Sequence, residues 1–191
     1  MAEFTLKAEP FLGGYERDFG TIVLKEIHNL AIVSIAFANG NEDQAQTVIE
    51  TIFDMKVPDV GNSSKSDDAA IRLLRLGIDQ VFIVMGEQKD AHAAHKDIAS
   101  KLNGTAYSTD QSDAWVCLEI SGARSEVALE RICPIDLHAS VFKTGQIART
   151  SMEHLGTIIM RTSEDSFTMM SASSSAHSFV HAIETSVINA V

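Results

Sequence analysis

The stretch AWVCLEISGARSEVALERICPID, residues 114–136, determines the fold predicted for this chain. Its first part alternates between polar and apolar side chains and ends at Gly122, which is typical of a half-buried strand followed by a turn. An amphipathic helix is predicted next, with Val127, Ala128 and Ile132 facing inward. That helix should stop before Pro134, because a proline disfavours helical geometry at the preceding residue.

The same order of elements occurs in the first half of the chain. LAIVSIAFANG, residues 30–40, predicts a strand that ends in a glycine turn. NEDQAQTVIETIFDMKVPD, residues 41–59, predicts a helix with Asn41 as its N-cap and an X-Pro step at its end. One stripe of that helix is apolar, formed by Ala45, Val48, Ile49, Ile52 and Phe53.

Each half continues with two strands and a second helix. In the first half, residues 70–86 predict strands that turn at 77–79, and the following helix ends at Gly104. In the second half, residues 153–171 predict strands that turn at 163–165. The closing helix should have Ser173 or Ser174 as its cap and an apolar stripe of Ala176, Val180, Ile183 and Val187.

The repeat predicts an α+β fold in which two β-α-β-β-α halves form a single domain. The halves should span about 26–104 and 105–191, so that residues 30–102 superpose on 114–188. We expect the superposition to be poorer at the ends of the halves if their first strands are exchanged. Residues 1–25 are expected to be an N-terminal arm with some β character that lies on the domain, and residues 60–69 a surface loop.

Composition limits the possible functions. The net charge is −11 and the basic residues are scattered, which argues against nucleic acid and against an anionic membrane surface as partners. We expect no signal peptide and no membrane-spanning segment. With only two cysteines, a reducing, cytoplasmic location is the simplest interpretation.

Two histidine groups are candidates for metal binding. His177, His181 and Glu184 share one face of the closing helix, and His92 and His95 lie one turn apart on an earlier helix. A solvated helix flank explains both groups more simply, because no further ligand lies nearby in sequence. We therefore expect no metal site in this chain.

Catalytic and cofactor motifs are also lacking. Cys117 and Cys133 are interpreted as small buried apolar residues rather than nucleophiles. Asp136, His138 and Ser140 are close in sequence, but a catalytic triad is defined by geometry and not by spacing. No nucleophile elbow and no glycine-rich phosphate loop occurs. We expect no catalytic and no cofactor-binding residue.

The segment CPIDLHASVFKTGQ, residues 133–146, is the remaining unusual feature. We expect it to form a structural corner between the halves, at or near the interface with a partner protein. Asp136 should tie down turn amides and Phe142 should be buried. The residues assigned to this corner are Cys133, Pro134, Asp136, Leu137, Phe142, Gly145 and Arg149.

Several of these motifs together resemble the gamma subunit of heterotetrameric sarcosine oxidase. That family has a Ser-Gly-x-(Ala/Ser)-Arg turn, a Cys-Pro-hydrophobic-Asp-Leu corner, a Phe-x-x-Gly turn, an Ala-Arg-Thr strand and a Ser-rich cap before the last helix. The matching positions are Ser112, Ser121, Gly122, Arg124, 133–137, Phe142, Gly145, 148–150, Ala176, Ser178 and Phe179. The chain departs from the family at Ile78, where the family has proline, and at aromatic positions now occupied by Val81 or Phe82 and by Val180 and Ala182.

The resemblance implies a duplicated α+β fold similar to the folate-binding domain of aminomethyltransferases. It also implies an accessory role beside alpha and beta subunits, in a complex that oxidises sarcosine to glycine. FAD, FMN, NAD, zinc and the folate site would belong to the other subunits, and the gamma subunit has no assigned cofactor or catalytic residue. The chain would then be a non-catalytic subunit of an oxidoreductase, and the altered aromatic positions leave the substrate of the complex open.

Two alternatives remain. The first is a stand-alone folate-binding module related to the aminomethyltransferases or to iron–sulfur-assembly proteins. The latter carry a Lys-Gly-Cys-Tyr-x-Gly-Gln signature, of which only KTGQ, residues 143–146, is left here. The second is an enzyme with a histidine-based metal site.

Overall fold

The structure is a computed structural model that describes residues 9–191. Eleven strands and four helices are found in this range. The strands are β1 Glu16–Asp18, β2 Val23–Ile27, β3 Ala31–Phe37, β4 Ser63–Lys65, β5 Ile71–Gly77, β6 Gln80–Met85, β7 Ala106–Asp110, β8 Trp115–Ser121, β9 Ile147–Met152, β10 Leu155–Ser163 and β11 Ser166–Ala172. The helices are α1 Glu42–Phe53, α2 Ala91–Leu102, α3 Ser125–Glu130 and α4 Ala176–Ile188.

The strands form two antiparallel sheets. The five-stranded sheet has the order β4-β5-β6-β3-β7, and the six-stranded sheet has the order β1-β2-β8-β11-β10-β9. Alternation along each central strand sends side chains to two different cores. In β3, for example, Val33 and Ile35 contact residues of α1 and α2, whereas Ile32 faces the other sheet.

Four layers result from this alternation. One core lies between the five-stranded sheet and helices α1 and α2, and another lies between the six-stranded sheet and helices α3 and α4. A third core joins the two sheets face to face, with Ile32, Leu74 and Phe82 from one sheet and Cys117, Ile147, Ile158, Met160 and Met170 from the other. Both sheets are thus buried on both faces, and the two halves make one continuous domain.

The duplication is visible in the pairing of the strands. Both β5 and β10 contain a register shift, after Arg75 in the first half and after Arg161 in the second. Helices α2 and α4 follow the two hairpins in the same way. Within residues 30–102 and 114–188, each strand and helix of one half has a counterpart in the other.

The first strands of the halves are exchanged. Strand β2 precedes the first half but pairs with β8 of the second, and β7 precedes the second half but pairs with β3 of the first. This is the exchange that we expected to weaken the superposition of the two halves at their ends. It makes each sheet incomplete without the other half of the chain.

Both turns of the central hairpins and the stripe of α4 agree with the sequence-based predictions. The hairpins turn between Gly77 and Gln80 and between Ser163 and Ser166. Ala176, Val180, Ile183 and Val187 of α4 are buried, and Gly104 has the positive φ of a helix-ending residue.

Other predictions are corrected. Within residues 30–102 and within residues 114–188 there is one more strand than predicted, β4 and β9 respectively, and β4 lies in the stretch expected to be a loop. Helix α3 ends at Glu130, and Val127 is exposed instead of facing inward. Asn41 makes no side-chain cap bond. A 3₁₀ turn over Ser173–Ser175 precedes α4, so the N-cap is Ser175 and not Ser173 or Ser174, and Ser175 makes no side-chain cap bond either.

The described part of the N-terminal arm is attached to the domain. The expected boundary at residue 25 falls inside β2, so the arm continues directly into the six-stranded sheet. The buried carboxylate of Glu26 accepts hydrogen bonds from the backbone N–H groups of Leu12 (3.0 Å) and Gly14 (2.9 Å). Tyr15 donates a hydrogen bond of 2.7 Å to Glu184 on α4. Within residues 9–191, no helix is long and apolar enough to cross a membrane.

Candidate functional site

The corner predicted over residues 133–149 follows the short helix α3. The backbone N–H of Cys133 still donates to the carbonyl of Leu129 at 2.8 Å, so the chain leaves the helical turn at Pro134. The Asp136 carboxylate then accepts the backbone N–H of His138 at 3.0 Å, which is the role expected for it. Leu137 and Phe142 are buried in the core beneath α3 and α4. They therefore anchor the corner to its own half and not to the crossing between the halves.

The crossing itself is made by backbone groups around Gly145. The carbonyl of Gly145 accepts both the N–H and the hydroxyl of Ser63, at 2.7 and 2.8 Å. The Ile147 N–H donates to the carbonyl of Gly61 at 2.9 Å, and Asn62 and Gln146 form an isolated antiparallel bridge. We call residues 61–63 and 145–147 the joint. Gly145 has a φ of +89°, which explains the requirement for glycine at this position.

Arg149 lies just beyond the joint and also links the halves. It is exposed and donates a hydrogen bond from its guanidinium to the side-chain oxygen of Gln80 on β6. The seven predicted corner residues thus serve three purposes. Cys133, Leu137 and Phe142 fill a core, Pro134 and Asp136 shape a turn, and Gly145 and Arg149 connect the halves.

A buried arginine supports the corner and was missed by sequence reasoning, which counted it among the scattered basic residues. Arg161 on β10 is 1% exposed. Its guanidinium donates to Glu126 on α3 at 2.6 Å and to the carbonyls of Leu137 and Glu164, and it lies 4.4 Å from the centre of the Phe167 ring. This one side chain therefore ties the corner, α3 and the sheet together.

The same device occurs in the first half. Arg75 precedes the register shift of β5, as Arg161 does in β10, and its guanidinium donates to the carbonyls of Gly77 and Ile78. It lies 4.6 Å from the centre of the Phe37 ring. An arginine at the same place in both hairpins was the sequence signal that could have revealed this role.

Neither cysteine has the properties of a nucleophile. Burial, followed by the nearby Glu26 charge, raises the pKa of the Cys117 thiol to about 12. Burial also raises the pKa of Cys133, although its hydrogen bond with the backbone of Ile135 acts in the opposite direction. Because the thiolate is the reactive form, both side chains are inert apolar groups near neutral pH.

The candidate triad Asp136, His138 and Ser140 does not have triad geometry. His138 Nδ1 lies 2.8 Å from Ser140 Oγ, but Asp136 is bonded to the backbone N–H of His138 and not to its ring. The Ser140 backbone N–H is also 3.3 Å from His138 Nδ1, and within residues 9–191 no carboxylate contacts the ring. All three residues are exposed on the surface. The arrangement is that of a surface turn.

The two histidine groups have different surroundings. On α4, His177 and His181 are exposed, and Glu184 is already occupied by Tyr15 and by Arg17, at 2.7 and 2.9 Å. On α2, His92 and His95 meet Asp110 at the end of β7, which sequence reasoning did not include. The exchange of β7 into the first sheet brings this carboxylate to the helix.

Comparison with known proteins gives the fold. No protein-family model matches the chain, and sequence comparison with curated proteins finds no match. Among solved structures, a chain of the heterotetrameric sarcosine oxidase from Corynebacterium sp. U-96, in complex with pyrrole 2-carboxylate, superposes with a TM-score of 0.78 at 19% identity. The match covers 88% of this chain and 84% of that one.

The glycine cleavage system aminomethyltransferase T from Bartonella henselae superposes with a TM-score of 0.60 at 15% identity. Here the match covers 83% of this chain but only 44% of the aminomethyltransferase, so the chain corresponds to less than half of that enzyme. Both similarities agree with the fold predicted from the sequence. The chain therefore has the duplicated α+β fold of a sarcosine oxidase chain, which is also found in part of an aminomethyltransferase.

Proposed function

We propose that this chain is an accessory, gamma-type subunit of a sarcosine oxidase-type flavin complex that oxidatively demethylates sarcosine to glycine. The observation that carries the proposal is the match with a heterotetrameric sarcosine oxidase, which covers most of both chains. A match over most of the length of one subunit is what an equivalent subunit would give. The partners would be alpha and beta subunits in the cytoplasm, and these would hold FAD, FMN, NAD and folate.

The side chains of the corner support a role without chemistry of its own. Its cysteine is buried, its aspartate is used in a turn and the supporting Arg161 is consumed by structural hydrogen bonds. A reacting group would need to be both accessible and activated. None of the corner residues combines the two.

Exposed apolar side chains near the joint support a protein partner there. Val60 precedes the joint and is 51% exposed, Val141 lies in the corner and is 54% exposed, and Ile78 is 77% exposed. Ile78 belongs to the turn that Arg75 holds, and the carbonyl of Arg75 accepts the N–H of Gly61. Exposed large apolar side chains are candidates for contacts with a protein partner. We therefore propose the joint and the neighbouring corner as the region of the partner contact.

Assembly with a flavoprotein tests the proposal. The chain would be co-expressed with the alpha and beta subunits of a sarcosine oxidase and purified through a tag on this chain. We expect a complex with bound flavin that oxidises sarcosine, and a chain that is inactive alone. Val141→Asp should abolish co-purification while leaving the chain folded. The matched control is Tyr107→Asp, a 72% exposed residue on β7, the opposite edge strand of the same sheet as β4.

A stand-alone folate-binding module is the second candidate, and the aminomethyltransferase match supports it. It predicts that the isolated chain binds tetrahydrofolate in calorimetric titration. Stoichiometric binding of tetrahydrofolate, together with failure to assemble with any flavoprotein subunit, would favour this candidate and reject the accessory role.

A further inference from the structure

His92, His95 and Asp110 lie together on the outer face of the first half. The two histidines are one turn apart on α2, and Asp110 is the last residue of β7, against which α2 packs. One ligand atom from each residue lies within 4.8 Å of the other two. Helix α2 thus offers two ligands, and strand β7 adds Asp110 as a third.

The spacing of these atoms fits a small metal ion. Nδ1 of His92 is 3.4 Å from Oδ2 of Asp110. Two ligands bound about 2.1 Å from a tetrahedral Zn²⁺ are about 3.4 Å apart, so this pair already has the separation that the ion needs. The ligand atom of His95 lies within 4.8 Å of both of these atoms.

Neighbouring groups hold two of the three ligands, Asp110 and His95. Oδ1 of Asp110 accepts hydrogen bonds from the N–H and the hydroxyl of Ser112, at 3.0 and 2.7 Å, so that Oδ2 is the oxygen that faces His92. Nε2 of His95 lies 3.2 Å from the hydroxyl of Ser108. Metal-binding histidines usually have their second ring nitrogen held in this way.

The other nitrogen of His95 is the strongest sign of a missing ligand. Nδ1 is buried and has no hydrogen-bond partner among residues 9–191. A buried polar atom without a hydrogen-bond partner destabilises the folded state, so such an atom usually has a functional role or binds an ion or water. A bound ion would satisfy this nitrogen. The side chain of His92 is 65% exposed, so water can reach the group as a fourth ligand.

We propose that His92, His95 and Asp110 form a binding site for a divalent transition-metal ion, with Zn²⁺ as the ion best suited to two imidazoles and one carboxylate. The site replaces the expectation, drawn from sequence, that the chain has no metal ligands. It lies on the helical face of the five-stranded sheet and does not depend on the proposed function.

Metal titration of the full chain tests the site. The protein is stripped with a chelator, desalted and titrated with ZnCl₂ by calorimetry, and with CoCl₂ while the visible absorption is recorded. We expect one Zn²⁺ per chain and a tetrahedral Co²⁺ spectrum. His92→Gln and Asp110→Asn should each lower the affinity by at least about 100-fold, and Ser112→Ala by about 10-fold, the lower end for groups behind the ligands.

A double variant of the other histidine pair, His177→Gln with His181→Gln on α4, is the matched control and should bind Zn²⁺ as the unmodified chain does. Circular dichroism shows whether each variant is folded. If Asp110→Asn fails to fold, the exposed His92→Gln gives the decisive measurement. The proposal is rejected if the chain binds no Zn²⁺, if binding survives in His92→Gln, or if it is lost only in the α4 variant.

Discussion

Gly122 shows how a single residue permits the exchange of strands. It follows β8 with a φ of +125°, and a Cβ built there would lie 2.2 Å from the carbonyl oxygen of Thr21, just before β2. The segment that leads into β2 therefore approaches Gly122 so closely that only hydrogen fits there. The sequence predicted a glycine turn here, but the reason for glycine is a partner strand from about a hundred residues away in the chain, which local patterns do not reveal.

Gly122→Ala should therefore destabilise the protein by at least about 2 kcal/mol, because either β8 or the segment before β2 must move. The matched control is Gly40→Ala. Gly40 also has a positive φ, of +84°, but no atom lies within 4 Å of a Cβ placed on it, so a cost of only about 1 kcal/mol is expected. Urea denaturation measures both. Equal costs for the two variants would show that the close approach of β2 is not what requires glycine.

Arg161 is the residue where sequence reasoning failed most clearly. An arginine in a strand normally predicts an exposed position, yet this one is buried, since a carboxylate, two carbonyls and an aromatic ring compensate its charge. Asp136 and Phe142 were predicted correctly, because a turn-capping carboxylate and a large aromatic residue have local reasons for their positions. The surroundings of Arg161 depend on tertiary contacts alone.

Arg161→Met should cost about 3 kcal/mol, because it leaves Glu126 and two carbonyls without their donor. Arg149→Met removes one hydrogen bond from an exposed guanidinium and should change the free energy of unfolding by no more than about 0.5 kcal/mol. The comparison is made by chemical denaturation. A small effect of Arg161→Met would mean that the arginine does not organise the corner.

At the scale of elements, strands and helices were predicted correctly where the hydrophobic periodicity and the turn residues indicate the same boundaries. The two central hairpins and the stripe of α4 follow directly from their sequences. Strand β4 was missed because it has three polar residues and its first residue is held by the carbonyl of Gly145 in the other half. Val127 was placed inward because the helical pattern was extended to Pro134, whereas α3 ends after six residues.

The contact between the N-terminal segment and α4 predicts a pH dependence. Burial raises the pKa of Glu184, but hydrogen bonds from Tyr15 and Arg17 outweigh it and leave the pKa below its usual 4.5. A lowered pKa means that Glu184 stabilises the fold above about pH 4.5, and this contribution is lost as the pH falls through the lower, folded-state value.

Glu184→Gln should therefore lower the free energy of unfolding by on the order of 1 kcal/mol near neutral pH. The effect is no larger because Arg17 is half-exposed and solvent screens its attraction to Glu184. The difference from the unmodified chain should shrink as the pH falls below 4.5. Thermal unfolding over this range measures it, with Glu130→Gln, an exposed carboxylate of α3, as the control. A difference that stays constant with pH would contradict the ion pair.

At the scale of the whole molecule, the exchange of strands between the two halves explains why they form one domain with connected cores and not two separate domains. Each sheet takes a strand from the opposite half, and a shared core joins the sheets. Composition, repeats and the resemblance of the corner predicted this class of fold. They allowed for an exchange of first strands but did not identify β7 as one of them, and so they did not place Asp110 beside His92 and His95.

The most direct measurement is sarcosine turnover by the assembled complex with altered corner residues. Cys133→Ala, Asp136→Asn and His138→Ala would each be introduced, and assembly, thermal stability and kcat compared with those of the unmodified complex. We predict that stability falls modestly, by about 1 kcal/mol for the loss of the Asp136 turn bond, while kcat stays within a few-fold. A variant that assembles and melts normally but loses turnover by a hundredfold, about 2.7 kcal/mol of barrier, would contradict a non-catalytic corner.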